Sequence, residues 1–514
     1  MSMAEVRRTR RAPIVLLVVA VAAYRFVIWQ VWMRFVDKSG DEGFYLRGGQ
    51  LISRWVRGRV EFDRTLDVLV GKGWFMPGMA IHTWPGRQFL ASGSLTLEEI
   101  GNIRLLMGVI DFVLLCLVSW AIARTFRRWI GVAFFAFVGF FPDAAFASFA
   151  FWGEAHGSKV LLLALLGVVS FVRSGRTLGV RSIIGAAGVG VLFAWAIYLR
   201  PPFLLQLGAA VVTLAIVAVG RSGSVKDGAP ARHPALHRSS KGVAVAAAVL
   251  IPLAAIALIL PWSRAISDRS GAFVLTTNTI DVNLIHAFSE PEDLAALTGG
   301  VEFTDIHDHA VAEAIASDRG YAVVLAEMRD ELLADLTFDH WLESADREVT
   351  RFYNEDESFL INYEVLVRNS PSPDAPAGVT GHFEWIRLLN DLFWYPLAAV
   401  TVLAMFWRFP LWSHHGFTAI TAKIAISALT VQPWVSNAKF RHLGAIMPTM
   451  VLFSLLALAY AARNLHTVLP SDAVAAEERS READGWSAWA RWSSTGVQMI
   501  AALMTAAAVL VYVT

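Results

Sequence analysis

Eleven stretches of about 20 mostly apolar residues run through this 514-residue chain. A helix needs about 20 such residues to cross a hydrocarbon core about 30 Å thick. With 56% hydrophobic and 17% charged residues, the chain is also more apolar than a soluble protein of its size. The sequence therefore predicts an all-α polytopic membrane protein with about eleven transmembrane helices. The windows lie at 13–35, 103–124, 130–151, 158–173, 182–199, 203–220, 243–262, 391–409, 415–434, 443–462 and 494–513.

Basic residues in short loops set the orientation that we expect. Four arginines lie within residues 7–11, and further basic stretches lie at 124–128, 173–181 and 221–241. Basic loops favour the cytoplasmic side, and one orientation places all four stretches there. The first apolar run is longer than the core of a signal peptide, so we expect it to remain as a span. The N-terminus is therefore predicted to be cytoplasmic.

This orientation divides the chain into three parts. Residues 1–262 form an N-terminal transmembrane module, 263–390 an extracytoplasmic domain of mostly helical pattern, and 391–514 the C-terminal helices, with a cytoplasmic interfacial segment at 471–493. A large first external loop, 36–102, is expected to carry interfacial helices.

One segment of that loop is ambiguous. Residues 74–92, "WFMPGMAIHTWPGRQFLAS", are apolar enough to suggest a further span. A crossing there would move the basic stretch at 124–128 to the outside, so we interpret this segment as interfacial or re-entrant.

Overall composition narrows the location and the partners. Arg greatly outnumbers Lys, a pattern typical of GC-rich bacteria, so we expect a bacterial inner (plasma) membrane. The single cysteine, Cys116, lies in an apolar run and cannot form a disulfide within the chain. The net charge of +1 gives no indication of a nucleic-acid partner.

Two acids, Asp41 and Glu42, directly follow the first span, in "GDEGFYLRGG". The next residues, "FYLRGGQLISRWV", have helical apolar spacing and would lie along the membrane surface. Carboxylates at the mouth of a helix bundle can act as a general base or as metal ligands. The alternative is a solvated surface pair.

Cations and a third acid lie at the same predicted face. Arg200 ends a span in "YLRPPF", and Lys439 and Arg441 lie in the outer turn "SNAKFRHLGAIMP". Such cations suit a phosphate, although snorkelling or an ion pair would also explain them. Glu154 and His156, just past another span, are candidates for acceptor or metal binding, or else are simply polar residues at a helix end.

Five motifs in this order resemble the GT-C superfamily of membrane glycosyltransferases, in particular the branch of the protein O-mannosyltransferases and the lipid A aminoarabinose transferases. The motifs are "DEGFYL", "FPDAAFASFAFWGE", "YLRPP", "ILPWSRAISDRSGAFVLTTNTIDVNL" and "KFRHLGAIMP". The chain departs from the family pattern at "KFR", at "SRAIS" and in the reduced proline-rich stretch "WFMPGMAIH". These departures leave the sugar and the acceptor open.

The resemblance implies an inverting glycosyltransferase with a polyprenyl-phosphate-linked sugar as donor and a cell-envelope glycan, lipid or protein as acceptor. Asp41 would then be the general base, and Arg200, Lys439 and Arg441 would bind the donor phosphate. The resemblance also leaves open a divalent cation, Mg²⁺ or Mn²⁺, held with the help of Glu42 and Glu154. Two alternatives stay open: a transporter or flippase of lipid-linked glycans, and a glycan polymerase or ligase.

Two further charges lie within spans. Arg25 and Asp111 are each about eight to ten residues from the outer ends of the first two helices. Since a charge facing lipid costs about 2.5 to 3.5 kcal/mol in insertion, we expect them to pair inside the bundle beneath the mouth. We interpret the pair as structural, with a role in holding the donor phosphate as the alternative.

Overall fold

The structure is a computed structural model, and every regular element in its described part is a helix. The described residues are 3–38, 41–70, 76–91, 95–173, 179–220, 241–277, 279–353, 358–369, 383–410, 414–435, 444–468 and 488–513.

The helices of the first external loop and the N-terminal module are α1 to α11. Their bounds are α1 Met3–Val31, α2 Asp41–Val56, α3 Phe62–Val70, α4 Gly78–Phe89, α5 Leu97–Thr125, α6 Arg128–Phe140, α7 Pro142–Ala147, α8 Glu154–Arg173, α9 Val180–Leu199, α10 Leu204–Gly220 and α11 Lys241–Ser270.

The remaining helices are α12 to α22. They are α12 Thr279–Phe288, α13 Pro291–Thr298, α14 Phe303–Ala316, α15 Tyr321–Leu332, α16 Phe338–Tyr353, α17 Phe359–Asn369, α18 Phe383–Met405, α19 His414–Thr430, α20 Gln432–Val435, α21 Met447–Val468 and α22 Ala488–Val513.

Each of the eleven apolar windows overlaps a helix in the described part of the chain. Within the described residues, eight helices are long and apolar enough to cross a membrane; the stretches are Ala12–Phe35, Leu97–Thr125, Glu154–Phe171, Val180–Leu199, Pro201–Val219, Gly242–Ser270, Phe383–Met405 and Trp492–Val509. The other three windows fall on shorter apolar stretches in α6, α19 and α21. The all-α polytopic prediction is confirmed for this part of the chain, while the count of eleven spans stays a prediction.

The ambiguous segment of the first loop contains the short helix α4. With 12 residues, α4 is about 18 Å long, too short to cross the membrane alone. It packs closely on α2, where a Cβ at Gly48 would lie 2.7 Å from the Ala80 Cβ and one at Gly49 would lie 2.6 Å from the Thr83 hydroxyl. The Thr83 hydroxyl also donates to the Tyr45 carbonyl at 3.0 Å. The two glycines therefore allow the loop to fold as a pair of helices in contact.

In the described part of the insert between α11 and α18, the regular elements are helices, as its pattern predicts. Its helices α12, α14 and α15 enclose a small apolar core of their own around Ile285, Ile306 and Leu325. Helix α17 is different, because its buried side chains belong to the main core of the bundle. The predicted interfacial segment 471–493 lies mostly outside the described residues, since α22 begins at Ala488.

The orientation is testable with single cysteines in a Cys116→Ala background. We expect Arg59→Cys in the first loop and Thr304→Cys in the insert, both at exposed positions, to react with an impermeant maleimide from the same side of sealed vesicles. Exposed Arg127→Cys should react only from the other side. Labelling of Arg59→Cys and Thr304→Cys from opposite sides would refute the predicted topology.

Candidate functional site

Glu42 is the centre of a fully buried polar cluster. Its Oε2 accepts from Arg104 Nη2 at 2.8 Å, and its Oε1 accepts from Arg104 Nη1 at 3.0 Å. Oε1 also accepts from the Tyr363 hydroxyl at 2.6 Å and from the Phe151 backbone N–H at 3.0 Å. We call Glu42, Arg104 and Tyr363 the Glu42 cluster. Because protein donors surround this carboxylate, its geometry favours a positioning role over the catalytic role expected from the sequence.

The Arg104 guanidinium connects further parts of the chain to this cluster. It donates to the carbonyls of Asp37 at 3.0 Å and Phe149 at 3.2 Å. Its Cζ lies 4.6 Å from the Phe151 ring centroid and 5.2 Å from that of Tyr363. A guanidinium removed from water needs such partners to offset the loss of hydration.

The ionisation of the cluster follows from these contacts. Burial by itself raises the pKa of the Glu42 carboxyl, but the charge and hydrogen bonds of Arg104, with those of Tyr363 and Phe151, lower it below its ordinary value. Burial and the neighbouring Glu42 carboxylate raise the pKa of the Tyr363 hydroxyl well above its ordinary value. At neutral pH, Glu42 is therefore an anion and Tyr363 keeps its proton.

Asp41 is the first residue of α2 and is partly exposed, in contrast to its buried neighbour. An acid in the first turn of a helix is favoured by the orientation of the helix dipole. The fixed Glu42 side chain thus sets the position of α2 and leaves Asp41 at the end of the bundle where α1 ends. We call this end the mouth.

Arg200 lies against the same short segment that contacts Glu42. Its guanidinium forms an ion pair with Glu154, whose side chain is buried, while 16% of the Arg200 side chain remains exposed. A Cβ at Gly153 would contact the Arg200 side chain at 3.3 Å. Since Phe151 donates to Glu42, residues 149–154 link the acidic pair to Arg200. Glu154 is therefore a partner of Arg200.

Arg25 and Asp111 pair inside the bundle, as their depth suggests. Arg25 Nη1 lies 2.7 Å from Asp111 Oδ2, and both side chains are buried. A third residue, Lys159 of α8, places its Nζ 2.7 Å from Asp111 Oδ1. These three residues, here called the Asp111 cluster, combine one acid with two cations. Arg25 also donates to the carbonyls of Val138 at 3.2 Å and Gly139 at 3.4 Å.

His156 lies beside this cluster rather than at an open surface. Its Nε2 lies 3.1 Å from the Met107 carbonyl, and its ring is 5.2 Å from the His82 ring. His82 accepts at Nε2 from the Trp195 indole N–H at 3.1 Å. Burial, together with His156, lowers the pKa of His82 to about 3. His156 is buried completely, so it does not face the mouth as the sequence suggested.

Two predictions from the sequence, phosphate binding by the late basic turn and a metal site, are not supported by the described side chains. Lys439 and Arg441 lie outside the described residues, so their convergence with Arg200 stays a prediction. Within the described residues, no group of three or more His, Cys, Asp or Glu side chains could hold a metal ion. Glu42 and Glu154 both face arginines, which does not suit these two acids as ligands of Mg²⁺ or Mn²⁺. The divalent cation stays a prediction.

Sequence reasoning missed three residues of these clusters. Arg104 stands at the edge of its apolar window and resembles an ordinary residue of a helix end. Lys159 was not singled out, although a lysine at the start of the apolar run "KVLLLALL" is a signal for a buried ion pair. Tyr363 is 321 residues from Glu42, and no local pattern connects them.

Comparisons with known proteins give only distant similarities. No protein-family model matches the chain, and no curated protein matches it. Among solved structures, the archaeal oligosaccharyltransferase AglB from Archaeoglobus fulgidus, in complex with an inhibitory peptide and a dolichol-phosphate, is 13% identical with a TM-score of 0.48. An A. fulgidus oligosaccharyltransferase tethered to an acceptor peptide is 13% identical with a TM-score of 0.47, and the apo form is 12% identical with a TM-score of 0.48.

These matches cover 96% of this chain but 55% or 56% of the solved chains. The chain therefore spans about half the length of the structures that it resembles. A likeness at this identity concerns the fold alone, so what the chain does must be decided from its own residues.

The Asp111 cluster predicts an order of stabilities. Asp111→Leu leaves two buried cations without an acid and should cost about 3 to 5 kcal/mol. Arg25→Leu leaves the Asp111 charge balanced by Lys159, so it should lower the free energy of unfolding by less than Asp111→Leu does. In an isolated pair of Arg25 and Asp111, the two substitutions would be expected to cost about the same. Thermal unfolding in detergent measures both variants.

The triple variant Arg25→Leu, Asp111→Leu, Lys159→Met removes all three charges and should recover much of the loss of Asp111→Leu. The double variant Arg25→Leu, Asp111→Leu should recover less, because Lys159 remains unpaired. Equal stabilities for Asp111→Leu and Arg25→Leu would contradict this account of the charge balance.

Proposed function

We propose that this protein is an inverting glycosyltransferase of the extracytoplasmic membrane face. Its donor would be a sugar on a polyprenyl-phosphate carrier, and its acceptor a cell-envelope glycan, a lipid or a protein. The five motifs that resemble GT-C enzymes support this proposal, and the arrangement of the mouth is consistent with it.

One observation carries most of the weight. Asp41 is partly exposed at the mouth, while its neighbour Glu42 is fully buried and held by Arg104. A surface pair without function needs no such anchor, because solvated acids cost little wherever they lie. A carboxylate that must meet a substrate in a defined position does need one, since a small displacement of a catalytic group lowers the rate strongly.

The proposed reaction is a single displacement. Asp41 takes the proton of the acceptor hydroxyl as its oxygen attacks the anomeric carbon of the donor sugar. The bond from that carbon to the phosphate oxygen breaks, the polyprenyl phosphate leaves with the electron pair, and the configuration inverts. Arg200, together with Lys439 and Arg441, would stabilise the charge that develops on the phosphate.

In this proposal the other candidate residues have supporting roles. Glu42 positions Asp41, Glu154 orients the Arg200 guanidinium, and the Asp111 cluster stabilises the bundle beneath the mouth. The proposed donor is a membrane lipid and the proposed site lies at the membrane face, in keeping with a multi-pass protein. A bacterial inner membrane is the expected location.

Asp41→Asn tests the base directly. The amide keeps the size of the side chain but cannot take a proton, so we expect transfer to fall by at least about 10²-fold with unchanged expression and thermal stability. The matched control is Asp63→Asn, which makes the same change at an exposed acid in the first turn of α3. More than about a tenth of wild-type turnover in Asp41→Asn would contradict the base role.

A donor screen separates the three function classes. Purified protein in vesicles would receive defined polyprenyl-phosphate monosaccharides with a mixture of envelope acceptors. Release of polyprenyl phosphate with sugar transfer supports the proposal, whereas movement of intact donor between leaflets indicates a flippase. Activity only with lipid-linked oligosaccharides indicates a polymerase or ligase.

A further inference from the structure

Helix α17 of the extracytoplasmic insert is part of the membrane bundle's core. Its residues Phe359, Leu360 and Tyr363 are each 1% exposed or less and pack in the main apolar cluster. The neighbouring insert helices α12, α14 and α15 enclose a separate core. Phe352 of α16 packs in that main cluster as well, but α17 is the helix that brings a side chain to Glu42, and we call α17 the docking helix.

Polar contacts fix the docking helix at its start and at its middle. The Leu360 backbone N–H donates to Asp143 Oδ1 at 3.0 Å, which satisfies one free donor of the first turn. Further along, Glu364 accepts from Arg387 Nε of α18 at 2.6 Å. The Trp152 ring lies 5.3 Å from the Phe359 ring and 6.1 Å from the Tyr363 ring.

Tyr363 connects this helix to the acidic pair. Its hydroxyl donates to Glu42 Oε1 at 2.6 Å and accepts from Arg104 Nη1 at 3.2 Å. One hydroxyl thus bonds to both members of a buried ion pair. Hydrogen bonds to charged groups are among the stronger ones in proteins, and burial excludes water that could replace this one.

We propose that Tyr363 is a positioning residue, through which the docking helix holds Glu42 and hence Asp41 in place for sugar transfer. The extracytoplasmic insert would then complete the active site in addition to any contact it makes with the acceptor. This proposal rests on the proposed function. It extends that function by assigning the insert a direct effect on the catalytic step.

A purely structural role for Tyr363 makes a different prediction. If the hydroxyl only stabilised the protein, Tyr363→Phe would lower the melting temperature and leave the turnover of folded enzyme unchanged. If it positions Asp41, the folded variant should lose turnover while binding the donor normally. The ratio of kcat to KM effects therefore distinguishes the two roles.

The experiment compares Tyr363→Phe with Tyr24→Phe. The control removes a largely buried hydroxyl that has no hydrogen-bond partner in the described part of the chain. For Tyr363→Phe we expect kcat to fall about tenfold, the size expected for a lost bond to a charged group, with the donor KM changed less than about twofold. Arg104→Lys, which keeps the charge but loses the paired hydrogen bonds, should act in the same direction.

Hydrogen exchange supplies a readout that does not need activity. Peptides covering 41–56 should take up deuterium faster in Tyr363→Phe than in wild type, whereas peptides from the centre of α5 should not change. Faster exchange together with lower kcat supports the proposal. Unchanged kcat in the folded variant overturns it, whatever the exchange shows, and so does unchanged exchange in 41–56.

The same data separate this proposal from the proposed function. If wild-type protein transfers no sugar from any donor, the glycosyltransferase assignment falls and catalytic positioning falls with it. Faster exchange in 41–56 would then still show that Tyr363 orders α2. If wild type is active and Tyr363→Phe is equally active, the glycosyltransferase assignment stands and only the positioning role is refuted.

Discussion

The ion pair between Glu42 and Arg104 holds together parts of the chain that are far apart in sequence. Both side chains are completely buried, and removing two charges from water costs several kcal/mol for each ion. The pair persists because the lost water is replaced by the Phe151 N–H, the Tyr363 hydroxyl and the Asp37 carbonyl. The first loop, the second span, the segment after α7 and the insert must therefore all be in place before the pair is fully bonded. Its formation favours one arrangement of the mouth over looser alternatives.

The two buried clusters share α5, which carries both Arg104 and Asp111, but they differ in charge balance. The Glu42 cluster contains one acid and one arginine, whereas the Asp111 cluster contains one acid and two cations. Near its start, α8 carries Glu154, which pairs with Arg200, and about one turn later it carries Lys159, which pairs with Asp111. A shift of this helix would change both contacts together. The charge balance beneath the mouth is thus coupled to the orientation of the arginine that we propose for phosphate binding.

How much the sequence predicts depends on the range of each signal. The apolar windows predicted the positions of the long helices, because the lipid hydrocarbon core requires a certain length and composition of every span. The depth of Arg25 and Asp111 predicted their contact, since an intramembrane charge needs a partner at its own level. Lys159 and Tyr363 were missed for a different reason: which neighbours meet a given helix face is decided by packing of distant segments. The sequence likewise could not predict that Glu42 is buried while Asp41 is partly exposed. The burial of each of two adjacent acids depends on which distant segments pack around it.

The docking helix also shows that the boundary between the insert and the transmembrane bundle is not the one that the sequence predicts. The sequence predicts that the insert at 263–390 is a separate extracytoplasmic domain, and its helices α12, α14 and α15 do have their own core. Yet Phe359 and Tyr363 are buried in the same core as the first spans. At the other end of the insert, the Trp262 indole and the Ser263 hydroxyl bond to the carbonyls of Thr276 and Val274. The insert is thus attached to the bundle at both ends, and its last helix contacts Glu42. A substrate that displaced this helix would disturb the acidic pair, so we expect the mouth to admit donor and acceptor beside the helix, where Asp41 and Arg200 are partly exposed.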